Sequence, residues 1–127
     1  MDYDKFYSIL NQKFGILPPD KYTQDWQWEC GKWEQTEDYI SFYNDYVASL
    51  NNSQKYDLIN MIIQGFDDMF IECFNVDSAY RETIWNKIKD ILINDKQTHI
   101  ETIKYWSCLG QSLDDSFRAA KYMRELL

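Results

Sequence analysis

One histidine, three cysteines, two prolines and four glycines are all that 127 residues contain of these types, and each scarcity removes a kind of protein. His99 stands alone in QTHIETI, with neither a nucleophile nor further ligands beside it, so a catalytic triad or a zinc centre is disfavoured. It is expected to be a surface or capping residue. Cys30, Cys73 and Cys108 are odd in number, far apart and without a C-x-x-C pair. That usage points to buried thiols in a reducing compartment rather than to a disulfide frame. Phosphate-binding, dinucleotide and H-E-x-x-H motifs are absent, as is the Glu-x-x-His of di-iron bundles. The expectation is a protein that is not an enzyme and holds no metal or cofactor. An enzyme built on clustered carboxylates is the weakest alternative, because the pairs Asp67-Asp68 and Asp114-Asp115 point about 100° apart on a helix and do not converge by themselves.

No apolar run approaches the roughly 20 residues that a membrane span requires. The opening MDYDKFYSIL carries acids where a secretion signal needs positive charge. A cytoplasmic location without membrane contact is therefore expected. The scarcity of breakers leaves long uninterrupted segments, and their apolar spacing is helical. Helices are expected over 2–14 (Phe6, Ile9, Leu10 and Phe14 inward, Gly15 as C-cap) and over 37–50 behind a Thr36 cap. A central helix over about 54–74 follows a Ser53 cap, and its apolar face includes Cys73 and Phe74. A helix opening at Asp77 or Ser78 runs to about Ile93. Another covers 97–108, with Ile100, Ile103 and Trp106 inward, until Gly110 breaks it. Ser112-Leu-Asp-Asp115 resembles a capping box and opens a last helix with Leu113, Phe117, Ala120, Met123 and Leu127 as its stripe. The fold class is thus all-α, one domain over 1–127, a bundle of five to six helices with an irregular segment near 15–35.

Against these absences stands an excess of acid: 21 Asp and Glu face 13 Lys and Arg, a net charge of −8. From Tyr56 to Tyr80 there is no base, while Asp57, Asp67, Asp68, Glu72 and Asp77 all fall there. Asp57, Asn60, Gln64, Asp67, Asp68 and Glu72 recur at helical spacing and read as a solvated acidic strip with no local base to neutralise it. Such a surface repels phosphate backbones and attracts basic proteins, so direct nucleic-acid binding is not expected. Simple solubility explains the same charge. Aromatic residues are plentiful, most densely in WQWECGKW, where Trp26, Trp28 and Trp33 crowd into eight residues. A helical reading groups Trp26, Cys30 and Trp33; an extended one aligns Trp26, Trp28 and Cys30. In either case Trp28, flanked by Gln27 and Glu29, is the indole that a core needs least. Interface hot spots favour Trp and Tyr, and acidic rims speed encounter with basic partners. The partner-binding candidates are accordingly Asp57, Asp67, Asp68, Glu72, Trp28 and Glu29.

The end of the chain, HIETIKYWSCLGQSLDDSFRAAKYMRELL, has a tryptophan-bearing helix, a break, and then the pattern L-x-[DE]-x-F-R-x-x-x-x-x-R, carried by Leu113, Asp115, Phe117, Arg118 and Arg124. It resembles the ends of small α-helical immunity proteins from bacterial contact-dependent inhibition and related polymorphic toxin systems. The resemblance covers residues 99–127. It implies a cytoplasmic antidote that binds one cognate toxin domain, commonly a basic nuclease, and blocks its active site or substrate groove. The motif residues would be structural, and no toxin-contacting residue carries over. Oligomeric state is left open by the sequence. The alternative reading is a protein-binding adaptor or regulatory subunit with a non-toxin partner.

Overall fold

The computed structural model describes residues 1–19 and 32–127, and the fold is all-α, with no strand among the described residues. Among the described residues six helices follow one another: α1 (Tyr3–Phe14), α2 (Thr36–Tyr46), α3 (Asn52–Asp68), α4 (Ser78–Asn94), α5 (Lys96–Ser107) and the short α6 (Ala120–Arg124). Four 3-10 turns lie between them, at Trp33–Gln35, Val47–Ser49, Glu72–Phe74 and Leu113–Asp115. Of the segment 15–35, residues 15–19 are non-helical and Trp33–Gln35 form a turn. Trp28, Glu29 and the two geometries of WQWECGKW lie outside the described residues.

The helix starts are written in local chemistry. Asp2 accepts from Lys5 N–H at 2.8 Å. Asp77 accepts from Ala79 and Tyr80 N–H. A reciprocal capping box begins α3, where Asn51 takes the Gln54 N–H at 2.9 Å and the Gln54 side chain takes that of Asn51 at 3.0 Å. The cap is thus Asn51, two residues before the expected Ser53. Gln54 also donates to the Met1 carbonyl at 2.7 Å, while the Met1 ammonium meets the Ser49 carbonyl. Gly15 closes α1 in the left-handed region at φ 69°, as a C-cap glycine does.

Three elements depart from the helical periodicity. Thr36 lies within α2 rather than capping it, buried, with its hydroxyl donating to Lys32 O at 3.5 Å. α3 ends at Asp68, six residues before expected, because Asn75 in the left-handed region and the Asp77 cap turn the chain toward α4. Met69 stays buried without continuing the helix, whereas Glu72, Cys73 and Phe74 are exposed. The expected Cys73 in the core is therefore corrected. The last helix shrinks to α6: the Ser112 hydroxyl donates to Asp115 instead of capping a backbone N–H, and the helix begins only after Phe117. Ala119, Ala120, Met123 and Leu126 form its buried stripe, leaving Leu113 and Leu127 exposed.

α3 is the hub, packed by α2, α4, α5 and the Trp33–Gln35 turn. Leu58, Ile59, Met61, Ile62, Ile63 and Phe66 on it are wholly buried. α1 adds Phe6 and Phe14 against Phe42 and Tyr39 of α2. At the other end Phe66, Trp85 and Tyr122 pack ring on ring, with centroids 5.2–5.8 Å apart. Trp33 is half-buried against Phe74, 6.0 Å between rings. Gly65 packs against the start of α2, where an added methyl would collide with Thr36 Oγ1 and press on its Cβ at 3.4 Å. Gly65→Ala is expected to lose about 1–3 kcal/mol of stability by overpacking, despite alanine's better helix propensity. Denaturant unfolding of Gly65→Ala with and without Thr36→Ala checks this: the second change should restore part of the loss.

Candidate interaction surface

The buried polar groups of α3 draw the C-terminal third of the chain onto it. Asn60, 1 % exposed, accepts the Trp106 indole N–H at 3.0 Å. Asp67, 4 % exposed, accepts Ala119 N–H at 2.8 Å through Oδ1 and meets the Arg118 guanidinium at 3.5 Å through Oδ2. Burial pushes the Asp67 carboxyl above its ordinary range, and the Ala119 and Arg118 contacts pull it back. Asp67 is therefore not part of a solvated strip, and the expectation that no base lies near it is corrected by Arg118. Fifty-one positions separate the two residues, which is why the sequence hides the pair.

Arg124 fixes the other side of this segment. Cys108 ends α5 in the left-handed region at φ 49°, two residues before the expected break at Gly110. The Arg124 guanidinium then donates to Ser107 O at 2.7 Å, Cys108 O at 2.9 Å and Gln111 O at 2.8 Å. These carbonyls have no partner inside the helix, and a planar fork satisfies three at once. Trp106 stacks 4.4 Å from Phe117, which also touches Tyr105 at 5.7 Å.

Between α5 and the Leu113–Asp115 turn this leaves a groove of about 700 Å³. Its floor is Asp67, its apolar walls are Tyr105, Leu113 and Phe117, and Asp114, Asp115 and Arg118 form its rim. Tyr105 and Leu113 are 55 % and 50 % exposed, and Leu109 nearby is 62 % exposed. A shallower depression continues past Tyr105 to Tyr56 and Glu101. Apolar rings ringed by carboxylates suit a basic protein surface better than a small molecule, since the groove is open along its length.

The other expected contact residues do not share one face. Asp57 is half-buried and accepts the Tyr7 hydroxyl at 3.2 Å, its carboxyl raised by burial and lowered by that bond. It lies ten residues before Asp67, roughly 15 Å along the helix axis. Asp68 accepts from Gln64 at 3.0 Å, with its carboxyl raised by burial and with Arg118 and Glu34 within electrostatic reach. Glu72 is exposed on the following turn. Of the expected residues only Asp67 thus lines the groove, whereas Asp57, Asp68 and Glu72 do not. Sequence reading missed Tyr105, Leu113, Asp114 and Asp115 as candidate contacts. Leu113 was assigned inward, and the aspartates were assigned to a helix end.

A second feature escaped the sequence altogether. His99 is 1 % exposed, not a surface residue, and its Nε2 lies 2.8 Å from the Tyr43 hydroxyl. Burial raises Tyr43 to about 12, so the hydroxyl keeps its proton and pairs with His99 Nε2, the imidazole tautomer deciding which of the two donates. Burial pushes His99 below its ordinary value; Asp95 raises it and Lys55 lowers it. Asp95 and Lys55 pair at 2.9 Å beside it, and Tyr43 and Asp95 open onto a groove of about 450 Å³ between α2 and α4. The signal for this pair was the spacing of His99, Ile103 and Trp106 at i, i+4 and i+7, one position away from the stripe that starts at Ile100.

Among the described residues no group of three or more His, Cys, Asp or Glu is placed to hold a metal ion, and no helix is long and apolar enough to cross a membrane. Cys73 is exposed and Cys108 half-buried, so neither is the buried thiol expected. No family model matches the chain, and neither a curated protein nor a solved structure matches it.

Two outcomes follow from these contacts. Arg124→Lys keeps the charge but loses the fork, and is expected to cost about 1–3 kcal/mol in denaturant unfolding. A pH dependence follows from His99, whose folded-state pKa lies below that of the unfolded chain. The unfolded chain therefore binds the proton more readily, and stability is full above about pH 6.5 and falls as the pH drops below it. Melting followed from about pH 7.5 to about pH 5.5 should fall more steeply for the native chain than for His99→Gln, which keeps an acceptor for Tyr43 but does not titrate. The raised Asp57, Asp67 and Asp68 titrate in both proteins and cancel in the comparison.

Proposed function

We propose that this chain is an immunity protein, acting in the cytoplasm, that binds the toxin domain of a contact-dependent inhibition or related polymorphic system and occludes a basic, phosphate-binding groove on it. The observation that carries the reading is the groove of Tyr105, Leu113 and Phe117 under the carboxylates of Asp114 and Asp115, on a chain with a net charge of −8. A nuclease must present cationic side chains to its substrate, and an acidic rim over apolar walls complements such a surface in both charge and shape. The resemblance of residues 99–127 to immunity-protein ends supports the same assignment. In it Arg118 and Arg124 hold the segment in place, as the motif implies, while the residues between them and α5 face outward. Occlusion needs no catalytic group on the inhibitor.

The test pairs the purified chain with the toxin domain encoded beside it and measures nuclease activity. Inhibition at a 1:1 ratio is expected, with an association rate that falls steeply as salt rises, since exposed charges are screened over about 8–10 Å at 0.10–0.15 M. Charge reversal at Asp114 and Asp115 should slow association by about tenfold or more and flatten the salt dependence. Full toxin activity at saturating inhibitor would overturn the assignment.

A further inference from the structure

Resting on that reading of the groove, we infer that it is a socket for a single arginine side chain of the partner, with the Asp67 carboxylate as its floor. Among the described residues the acids at the groove, Asp67, Asp114 and Asp115, outnumber the base there, Arg118. Asp67 is fixed by Ala119 N–H, which holds Oδ1 at 2.8 Å, and Oδ2 is the oxygen that Arg118, also at the groove, approaches. Arg118 reaches that oxygen at only 3.5 Å, whereas close charge-assisted pairs sit near 2.7–2.9 Å, and its side chain is half exposed. An incoming guanidinium would share this oxygen with Arg118, which stays in place to hold the segment.

The walls select among cations. The Tyr105 and Phe117 rings lie 5.7 Å apart at 38°, with Tyr105 open to solvent. A planar guanidinium can stack on such a ring while its edge donates to a carboxylate; an ammonium can do the second but not the first. The Leu113–Asp115 turn then brings two exposed carboxylates over the entrance, and the Ser112 hydroxyl holds the Asp115 side chain at 3.0 Å. A partner that fits is a basic protein whose surface carries a protruding arginine.

The probe is a blocked Gly-Arg-Gly peptide titrated into the full chain and followed by two-dimensional amide NMR. Lysine and citrulline versions of the peptide serve as comparisons. Saturable shifts are expected at the Arg118 and Ala119 amides and the Trp106 indole, with millimolar affinity, as suits one side chain. The lysine peptide should bind about threefold or more weakly, and the citrulline peptide should give no saturable shift. Asp67→Asn keeps an acceptor for Ala119 and should weaken the arginine peptide about fivefold or more. Should that variant fail to fold, Asp114→Asn with Asp115→Asn on the exposed turn gives the same readout. Shifts spread evenly over remote acids such as Asp38 and Asp45, equal binding of the citrulline peptide, or binding indifferent to these substitutions would each overturn the socket. The two readings separate cleanly. Toxin inhibition without peptide binding removes the socket alone, and peptide binding without toxin inhibition removes the toxin assignment alone.

Discussion

The buried face of a central helix cannot leave a polar group without a partner, and beyond its N-terminal capping box, where Gln54 is satisfied by the Asn51 N–H and the Met1 carbonyl, α3 carries two such groups, Asn60 and Asp67. An unpaired buried amide or carboxylate costs several times what a satisfied one contributes, so each demands a donor from elsewhere in the chain. Trp106 answers Asn60 and Ala119 answers Asp67. Those two hydrogen bonds set where α5 lies and where the segment after it crosses the end of α3. The groove is what remains between them.

This arrangement also explains why the C-terminal segment is not a single helix. A continuous helix from Leu113 would turn Leu113 and Phe117 to one face and carry Ala119 away from Asp67. The chain instead makes a turn at Leu113–Asp115, extends at Ser116, and starts α6 only once the Ala119 N–H has reached the carboxylate. Arg124 then ties α6 back to the open carbonyls around Cys108. The result puts Tyr105, Leu113, Asp114 and Asp115 on the outside, together, on a rigid base. Recognition surfaces work best when their anchors are already ordered, because less entropy is lost on binding.

The Tyr43–His99 pair does for α2 and α5 what Asp67 does for the C-terminal segment, but with a titratable group. A neutral imidazole hydrogen-bonded to a tyrosine suits the core; a protonated one carries a charge whose burial costs more than the nearby Asp95, already paired with Lys55, offsets. The acid-side stability of the bundle thus has a local origin in one side chain. The candidate surface lies elsewhere and does not include His99.

Much of the fold was readable along the chain, because helical period, caps and breakers act over a few residues. Asp2, Gly15 and Asp77 mark helix ends by their own chemistry, and the apolar stripes of α1 and α4 follow the period of the helix. The acid excess is likewise a plain sum over residues, and the expectation of basic partners rests on it. The site was less legible. Asp67 does line the groove, but the strip that linked it to Asp57, Asp68 and Glu72 dissolved once Asp67 was covered and α3 ended at Asp68. Spacing reports which face of a helix a residue occupies; it is silent on what covers that face. Whether Asp67 is wet or buried, and whether His99 is surface or core, depended on donors 52 and 56 positions away. Long-range partners of that kind leave no periodic trace, so the helices belong to the sequence and the groove belongs to their packing.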